Sequence, residues 1–116
     1  MWKAAIKLSQ LQQNQRQTVT VDGDKILFIW HEDRVYAVQA QCPHLKLPLA
    51  KGEIKDDCIL VCPFHKSAFD LNTGNVQCWS TSPPVLGNLL GKLSKPKSLR
   101  VYTTKIETDQ IFVQIK

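Results

Sequence analysis

Apolar residues in this chain fall into short runs separated by clusters of turn-forming residues, and this pattern predicts a mainly β protein. The two strongest candidate strands are Lys25–Trp30 and Arg34–Gln39. The polar residues His31-Glu32-Asp33 lie between them, so the pair is predicted to form a hairpin with a solvated His31 in its turn. A continuous apolar run, Cys58-Ile59-Leu60-Val61, predicts a buried strand.

Three later stretches complete the predicted elements. Residues Asp70–Asn75 have the composition of a tight reversal, and Leu99–Ile106 and Gln110–Ile115 are predicted to be two closing strands around a turn. Residues 82–98 include four leucines at helical spacing, which favours an inserted loop or a short helix. Glycines weaken that helix. Its leucines are expected to cover the domain's own core, with a docking surface as the alternative.

The chain of 116 residues is predicted to form one domain over residues 1–116, since this length allows one modest core. Its 43% hydrophobic and 22% charged residues are ordinary for a soluble globular protein. The N-terminal residues lack the apolar run of a secretion signal, and no segment reaches the ~18 apolar residues that span a bilayer. We therefore expect a cytoplasmic protein with no membrane span.

The formal charge of +5 changes the expected partners. A positive surface favours encounter with acidic docking surfaces on partner proteins, although the charge also serves solubility. Nucleic acid is not an expected partner, because the most basic stretch, Lys92–Arg100, has no aromatic residue to stack on a base.

Two short segments, Cys42-Pro43-His44 and Cys62-Pro63-Phe64-His65, each offer one thiolate and one imidazole. Each is predicted to follow a strand directly, so a rigid sheet would hold both loops, with Gly52 among the turn residues between them. Mixed Cys and His ligation fits either tetrahedral zinc or an iron-sulfur centre. Zinc is the secondary alternative, since structural zinc sites commonly draw like ligands from one element. A lone His is more often a surface or capping residue, but four matched positions favour ligands.

The rest of the sequence offers no second chemical site. No nucleophile with its base, phosphate-binding glycine loop or dinucleotide fingerprint is present. Cys58 and Cys78 remain outside the two segments, and we expect them to be small buried hydrophobes rather than a disulfide or a redox pair.

The two segments resemble the cluster-binding loops of Rieske proteins, and the resemblance continues through Ser67-Ala68-Phe69-Asp70 to cover nearly the whole chain. It implies an all-β fold: a Rieske-like antiparallel β-sandwich with a small cluster-binding subdomain formed by two loops in residues 42–70. It also implies one 2Fe-2S cluster per chain. The implied ligands are Cys42 and Cys62 on one iron and His44 and His65 on the other.

The resemblance also carries expectations about the reduction potential. Two thiolates and two neutral imidazoles leave the oxidised centre with a charge near zero, so potentials reach about −150 to +300 mV. High-potential members carry an extra disulfide-bonded cysteine in each loop, at or near the positions that Leu47 and Phe64 occupy in this chain. Ser67 matches a serine that donates a hydrogen bond, but Phe69 replaces a tyrosine donor. Fewer donors stabilise the reduced form less, so we expect a potential below about +150 mV.

Lys46 and Lys66 occupy positions where the family's loops usually carry glycine. A positive φ at either position would strain a lysine. The two ammonium groups would favour the reduced state or meet an acidic partner, and the alternative is that their flexible stems point into water.

The resemblance implies a one-electron carrier that passes electrons from a reductase to an acceptor enzyme such as an oxygenase, with no catalytic site of its own. The alternatives are a docking or regulatory subunit of a multicomponent oxidoreductase, a zinc-stabilised binding module and a redox sensor. An oxygenase in its own right is not expected, because oxygen-activating members add a large domain with a mononuclear iron and this sequence ends at Lys116.

Overall fold

The structure, a computed structural model, describes residues 1–42, 48–55, 58–63, 67–78 and 98–115. All strand pairs in these ranges are antiparallel. The elements in chain order are β1 (Trp2–Lys7), α1 (Leu8–Asn14), β2 (Arg16–Val21), β3 (Asp24–His31), β4 (Arg34–Gln39), β5 (Glu53–Lys55), β6 (Ile59–Val61), β7 (Ala68–Asp70), β8 (Val76–Cys78), β9 (Thr104–Glu107) and β10 (Gln110–Gln114). The predicted all-β fold class is therefore confirmed, with one short helix added.

The chain divides into two compact units. The first consists of Met1–Ala40 and Arg100–Lys116, and it contains two three-stranded sheets with strand orders β1-β10-β9 and β2-β3-β4. The second, Gln41–Leu99, contains a four-stranded sheet with strand order β5-β6-β7-β8 and includes the two predicted ligand loops. The second unit is thus one continuous segment inserted between two parts of the first.

Two hairpins in the first unit have two-residue turns in which both residues have positive φ angles. The predicted hairpin joins β3 to β4 through Glu32 and Asp33, whose φ angles are 49° and 63°. His31 pairs with Arg34 and is the half-buried last residue of β3, so its predicted place in a solvated turn is wrong. Asp22-Gly23 joins β2 to β3 with φ angles of 51° and 85°. Turns with this backbone match the right-handed twist of the strands that they connect.

The first closing strand is shorter than predicted. β9 begins at Thr104 rather than Leu99, because residues 100–102 lie along the end of β4: the Gln39 amide donates to the Arg100 carbonyl oxygen, and the Tyr102 amide donates to the Ala37 carbonyl oxygen. Val101 forms an antiparallel bridge with Val38 in β4. β9 then pairs with β10 across the predicted turn.

The core of the first unit is built from alternating positions of its strands. Ile26 and Phe28 of β3 and Ile111 and Val113 of β10 are fully buried. Leu11 of α1 belongs to the same cluster. Burial of each large apolar side chain stabilises the folded state by about 1.5–3 kcal/mol. On β3 the intervening Leu27 and Ile29 are buried too, so this strand is apolar on both faces.

Helix α1 is not predicted by the hydrophobic pattern, and its start is held by a partner far away in sequence. The Ser9 amide and hydroxyl donate to the Asp109 carboxylate at 2.9 and 2.6 Å, and the Leu8 amide donates to the Asp109 carbonyl oxygen at 2.9 Å. A carboxylate at this end satisfies first-turn amides that have no partner within the helix. The seven-residue helix therefore depends on a residue that belongs to the turn between β9 and β10.

The four-stranded sheet contains the predicted reversal between β7 and β8. The Asp70 carboxylate accepts hydrogen bonds from the amides of Asn72 at 2.7 Å and Thr73 at 3.3 Å. Gly74 has a φ of 79°, and its amide donates to the Asp70 carbonyl oxygen at 2.7 Å. The residue types that predict this turn are those that make its hydrogen bonds.

The insertion predicted at residues 82–98 lies outside the described residues, apart from Ser98. Its loop or helix and the role of its leucines therefore stay predictions. Within the described part of the chain, no helix has the length and apolar character needed to cross a membrane.

Candidate metal centre

The second ligand loop is the turn of the hairpin between β6 and β7. Val61 pairs with Ala68 at the end of this hairpin. The next residues along, Cys62 and Ser67, are joined by a 2.7 Å hydrogen bond from the Cys62 amide to the Ser67 carbonyl oxygen. Cys62 is fully buried. Two consecutive backbone pairs therefore close the base of the loop and fix the thiol at a strand end.

The first ligand loop is closed in a different way. Gln41 and Pro48 form an antiparallel bridge on either side of it. Cys42, directly after Gln41, is fully buried. β4 has the predicted bounds, Arg34–Gln39, and Ala40 and Gln41 connect its end to Cys42. The bridge, rather than the strand, holds the base of this loop.

Both loops reach the same end of the four-stranded sheet. Glu53, the first residue of β5, pairs with Val61, the last residue of β6. The segment that follows the first loop thus enters the sheet as β5, which pairs with β6, the strand that precedes Cys62. The turn before β5 is closed by the Gly52 amide, which donates to the Leu49 carbonyl oxygen at 2.9 Å. The fold therefore brings the two cysteine-bearing loops to one end of one sheet.

His44 and His65, the two predicted imidazole ligands, lie outside the described residues, and so do Lys46 and Lys66. The described part of the site consists of the two cysteines and the strand ends that carry them. Ligation by the histidines and the roles of the lysines stay predictions.

Ser67 and Phe69 lie at the start of the strand that leaves the second loop. Both are fully buried. The Ser67 hydroxyl has no hydrogen-bond partner among the described residues. A buried hydroxyl without a partner costs about 1–3 kcal/mol, and a sulfur atom of a cluster bound beside Cys62 would satisfy it. A 2Fe-2S cluster fits this set of groups: two buried thiols, two imidazoles close to them in sequence, and one buried hydroxyl that lacks an acceptor among the described residues.

Cys58 and Cys78 lie at opposite ends of the four-stranded sheet. Cys58 occupies the turn before β6 and is only partly buried, so the prediction that it is a buried hydrophobe is wrong. Cys78 pairs with Ala68, which pairs with Val61 at the far end of β6. Two strand spacings of about 4.8 Å already exceed the Cα separation of ~7 Å that a disulfide tolerates. The backbone positions of these two cysteines are therefore too far apart for a disulfide.

Sequence reasoning missed the close packing around Gly52, a described residue between the two ligand loops. The sequence identifies it only as a turn residue. In the structure it is buried, and a Cβ atom built on it would lie 2.9 Å from Leu60 Cδ1 and closer still to the carbonyl oxygen of Val61. No signal in a single sequence distinguishes this glycine from other turn glycines.

A polar cluster in the first unit shifts a pKa. The Tyr102 hydroxyl donates to Asp24 Oδ2 at 3.4 Å, and the Arg100 guanidinium lies 3.4 Å from the same oxygen and 4.6 Å from the Tyr102 ring centroid. Burial raises the pKa of Tyr102 above its usual value of 10.0, the Arg100 charge opposes this shift, and Asp24 adds to it. We assign this cluster a structural role, since it joins β3 to the segment in which the chain returns to the first unit.

The Rieske [2Fe-2S] domain family matches residues 1–103 of this chain. The human Rieske domain-containing protein is 28% identical over 109 residues, which cover 90% of this chain and 69% of the human protein. The ferredoxin component of the naphthalene 1,2-dioxygenase system of Pseudomonas putida is 30% identical over 100 residues, or 86% of this chain and 91% of that protein. The structure of the ferredoxin of carbazole 1,9a-dioxygenase from Nocardioides aromaticivorans IC177 superposes with a TM-score of 0.76 at 24% identity, covering 100% of this chain and 99% of that one. With the loops, the buried cysteines and the antiparallel sheets already described, these similarities establish that the chain belongs to the Rieske 2Fe-2S domain family.

Proposed function

We propose that this protein is a one-electron carrier with a single 2Fe-2S cluster held by two thiolates and two imidazoles. The proposed ligands are Cys42 and Cys62 on one iron and His44 and His65 on the other. One observation carries the proposal: two loops, each with one Cys and one His, are closed by backbone pairing at the same end of one sheet. Membership of the Rieske family supports iron over a zinc-stabilised binding module.

The burial of Cys42 and Cys62 supports their role as ligands. A thiolate taken out of water needs a neutralising positive charge close by, because burial alone disfavours the charged form. Iron ions in the site would supply that charge. The same burial keeps solvent from the sulfur atoms, and solvent access is one of the factors that set the potential of such a centre.

When bound, such a cluster supplies a single site for one electron at about −150 to +300 mV. The Ser67 hydroxyl would donate a hydrogen bond to a sulfur atom and so stabilise the more negative, reduced charge. Phe69 is buried opposite Leu60, excludes water and has no hydroxyl to donate. With one donor where high-potential members have two, we place the midpoint below about +150 mV.

A reductase and an acceptor enzyme are the proposed partners. The similarity to a ferredoxin component of a dioxygenase system supports an oxygenase as the acceptor. The formal charge of +5 supports acidic docking surfaces on the partners, and Lys46 and Lys66 are close in sequence to the proposed ligands His44 and His65. In each cycle the reductase loses one electron, the acceptor gains it, and no bond in a substrate forms or breaks. We place this activity in the cytoplasm.

The metal content of the purified protein tests the proposed cofactor. Iron and acid-labile sulfide are expected in the 2Fe-2S ratio, with one cluster per chain, and the reduced protein is expected to give the electron paramagnetic resonance spectrum of a histidine-ligated cluster. A colourless protein that contains zinc and no sulfide would overturn the proposal.

Stopped-flow kinetics separates a carrier from a docking subunit or a redox sensor. A carrier is reduced by a reductase and reoxidised by an acceptor oxygenase at rates above ordinary turnover of ~10 per second. Reduction without reoxidation by oxygenases that accept electrons from related ferredoxins would instead support a sensor or a regulatory subunit.

A further inference from the structure

Gly52 lies in a buried turn between the two ligand loops, and the space around it is too small for a side chain. A Cβ atom built at this position would collide with the carbonyl oxygen of Val61. It would also lie 2.9 Å from Leu60 Cδ1 and 3.1 Å from the Leu49 carbonyl oxygen. The nearest obstacle is backbone, so no change of rotamer makes room for a methyl group.

The requirement for glycine at this position is steric rather than conformational. Gly23 and Gly74 have positive φ angles, which favour glycine, whereas Gly52 is not among the residues with positive φ. Gly23 shows the opposite combination: its φ is 85°, but a Cβ atom there would have no neighbour within 4 Å. Substitutions at Gly52 and Gly23 therefore test two different effects: a steric clash at Gly52 and backbone strain at Gly23.

The close approach at Gly52 connects the two loops through the backbone. The first loop ends at Pro48, which bridges to Gln41 on its other side. The turn after Pro48 carries Gly52 against Val61, and Val61 directly precedes Cys62. Each step in this path is a peptide bond, a backbone bridge or a backbone contact. The spacing between the loops thus depends on how closely Gly52 approaches Val61.

We propose that Gly52 is a positioning residue that sets the spacing between the two ligand loops, and through it the lifetime and the electronic structure of the bound cluster. The inference rests on the four-ligand cluster proposed above. A methyl group at Gly52 must either push the turn away from Val61 or displace Val61 itself. Either movement changes the position of Cys62 relative to the first loop. Contacts that orient metal ligands are typically worth about 10–100-fold in metal affinity, so the effect is measurable.

The test compares Gly52→Ala with Gly23→Ala in the full chain. Gly52→Ala is expected to lose its visible absorption under chelator at least about tenfold faster than the wild type, to shift the g values of the reduced protein and to change its midpoint potential. Gly23→Ala is expected to unfold at lower denaturant concentration because alanine is strained at positive φ, while its cluster lifetime, g values and potential stay those of the wild type.

Three outcomes would overturn the inference. Unchanged cluster lifetime, g values and potential in Gly52→Ala would show that loop spacing does not depend on Gly52. Equal changes in Gly23→Ala would show that the cluster responds to stability alone. If Gly52→Ala does not fold, the double variant Gly52→Ala/Leu60→Val takes its place, because it removes one of the groups that obstruct the new methyl group. If neither variant folds, Gly52 is needed for folding in general and not for loop spacing in particular. A wild-type protein that binds zinc instead of iron would overturn the proposed function, which these variants do not test.

Discussion

The amide of Cys62 and the carbonyl oxygen of Ser67 are 2.7 Å apart, and their hydrogen bond closes the base of the second ligand loop. The bond uses the backbone of Ser67 and leaves its hydroxyl without a partner in the described chain. Because any residue at position 67 retains its carbonyl group, the side chain can be changed without opening the loop. The hydroxyl can therefore be tested separately from the loop that carries it.

Ser67→Ala is expected to lower the midpoint potential by roughly 60 mV. The reason is that the lost hydrogen bond stabilises the reduced charge more than the oxidised one, and a preference of about 1.4 kcal/mol corresponds to roughly 59 mV for one electron. Protein-film voltammetry measures the shift. Ser67→Thr retains a hydroxyl and serves as the control. A potential equal to that of the wild type in Ser67→Ala would show that the hydroxyl does not reach the cluster.

Phe69→Tyr is expected to shift the midpoint potential upward, since it adds the second hydroxyl donor that this chain lacks. The residue is fully buried, so a hydroxyl added to its ring must find an acceptor or destabilise the fold. Phe69→Leu removes the ring without adding a donor and should leave the potential within about 30 mV of the wild type, half the shift of one tenfold change. A lower potential in Phe69→Tyr would exclude a hydrogen bond to a ligand sulfur.

Cys62→Ser is expected to abolish cluster binding, because a serine hydroxyl is a poor replacement for a thiolate ligand to iron. Cys58→Ser is the matched control, since Cys58 lies at the other end of β6 and its side chain is partly exposed. Iron and sulfide contents of the two purified variants decide the result. A Cys58→Ser protein without iron, or a Cys62→Ser protein with a full cluster, would contradict the ligand assignment.

Replacement of Lys46 and Lys66 by glutamine is expected to slow reduction by an acidic partner several-fold at low ionic strength. Salt screens such charges over about 8–10 Å, so the difference from the wild type should vanish as salt increases. The double variant Lys7→Gln/Lys25→Gln removes the same charge from two exposed positions of the first unit and is expected to have a smaller effect. Unchanged potential and unchanged salt dependence in the loop variant would mean that both lysines only point into water.

The stability of the protein is expected to fall at alkaline pH through Tyr102. Its pKa is raised in the folded state, so the folded protein holds this proton more tightly than the unfolded chain. The resulting stabilisation is complete below the unfolded pKa of about 10 and is lost as pH rises through the raised value. The difference in the free energy of unfolding between the wild type and Tyr102→Phe, measured with urea, should therefore be constant up to about pH 9. Above that pH the wild type should lose stability relative to Tyr102→Phe. A difference that does not vary with pH would contradict this linkage.

The elements that the sequence predicts well are those whose causes are local. The hairpin between β3 and β4 and the reversal after Asp70 follow from strand-forming residues on either side of turn-forming ones. The strand before Cys62 follows from its continuous apolar run, but its predicted burial holds only for Leu60, since Ile59 and Val61 are half-buried. The Asp22-Gly23 turn carries an equally clear hairpin signal, but the strand before it, β2, is mostly polar and its hydrophobic pattern is weak.

The features that the sequence does not predict depend on partners distant in the chain. Helix α1 is held at its start by Asp109, which lies 100 residues from Ser9. The late start of β9 follows from the bridge between Val101 and Val38. The steric role of Gly52 depends on β6, which the sequence places only as a strand. At the site, the sequence could only propose the cysteines as ligands from their spacing, whereas the unsatisfied hydroxyl of Ser67 and the base of each loop required coordinates.

The insertion of the second unit between Ala40 and Arg100 has a consequence for engineering. Gln39 and Arg100 flank the insertion and hold each other: the Gln39 amide donates to the Arg100 carbonyl oxygen at 2.9 Å, and the Arg100 amide donates to Gln39 Oε1 at 2.7 Å. The chain thus leaves and re-enters the first unit at two residues that are hydrogen-bonded to each other. Because these two flanking residues hold each other, we expect that the segment Gln41–Leu99 can be exchanged for the corresponding segment of a relative while the chain still leaves and re-enters the first unit at the same place.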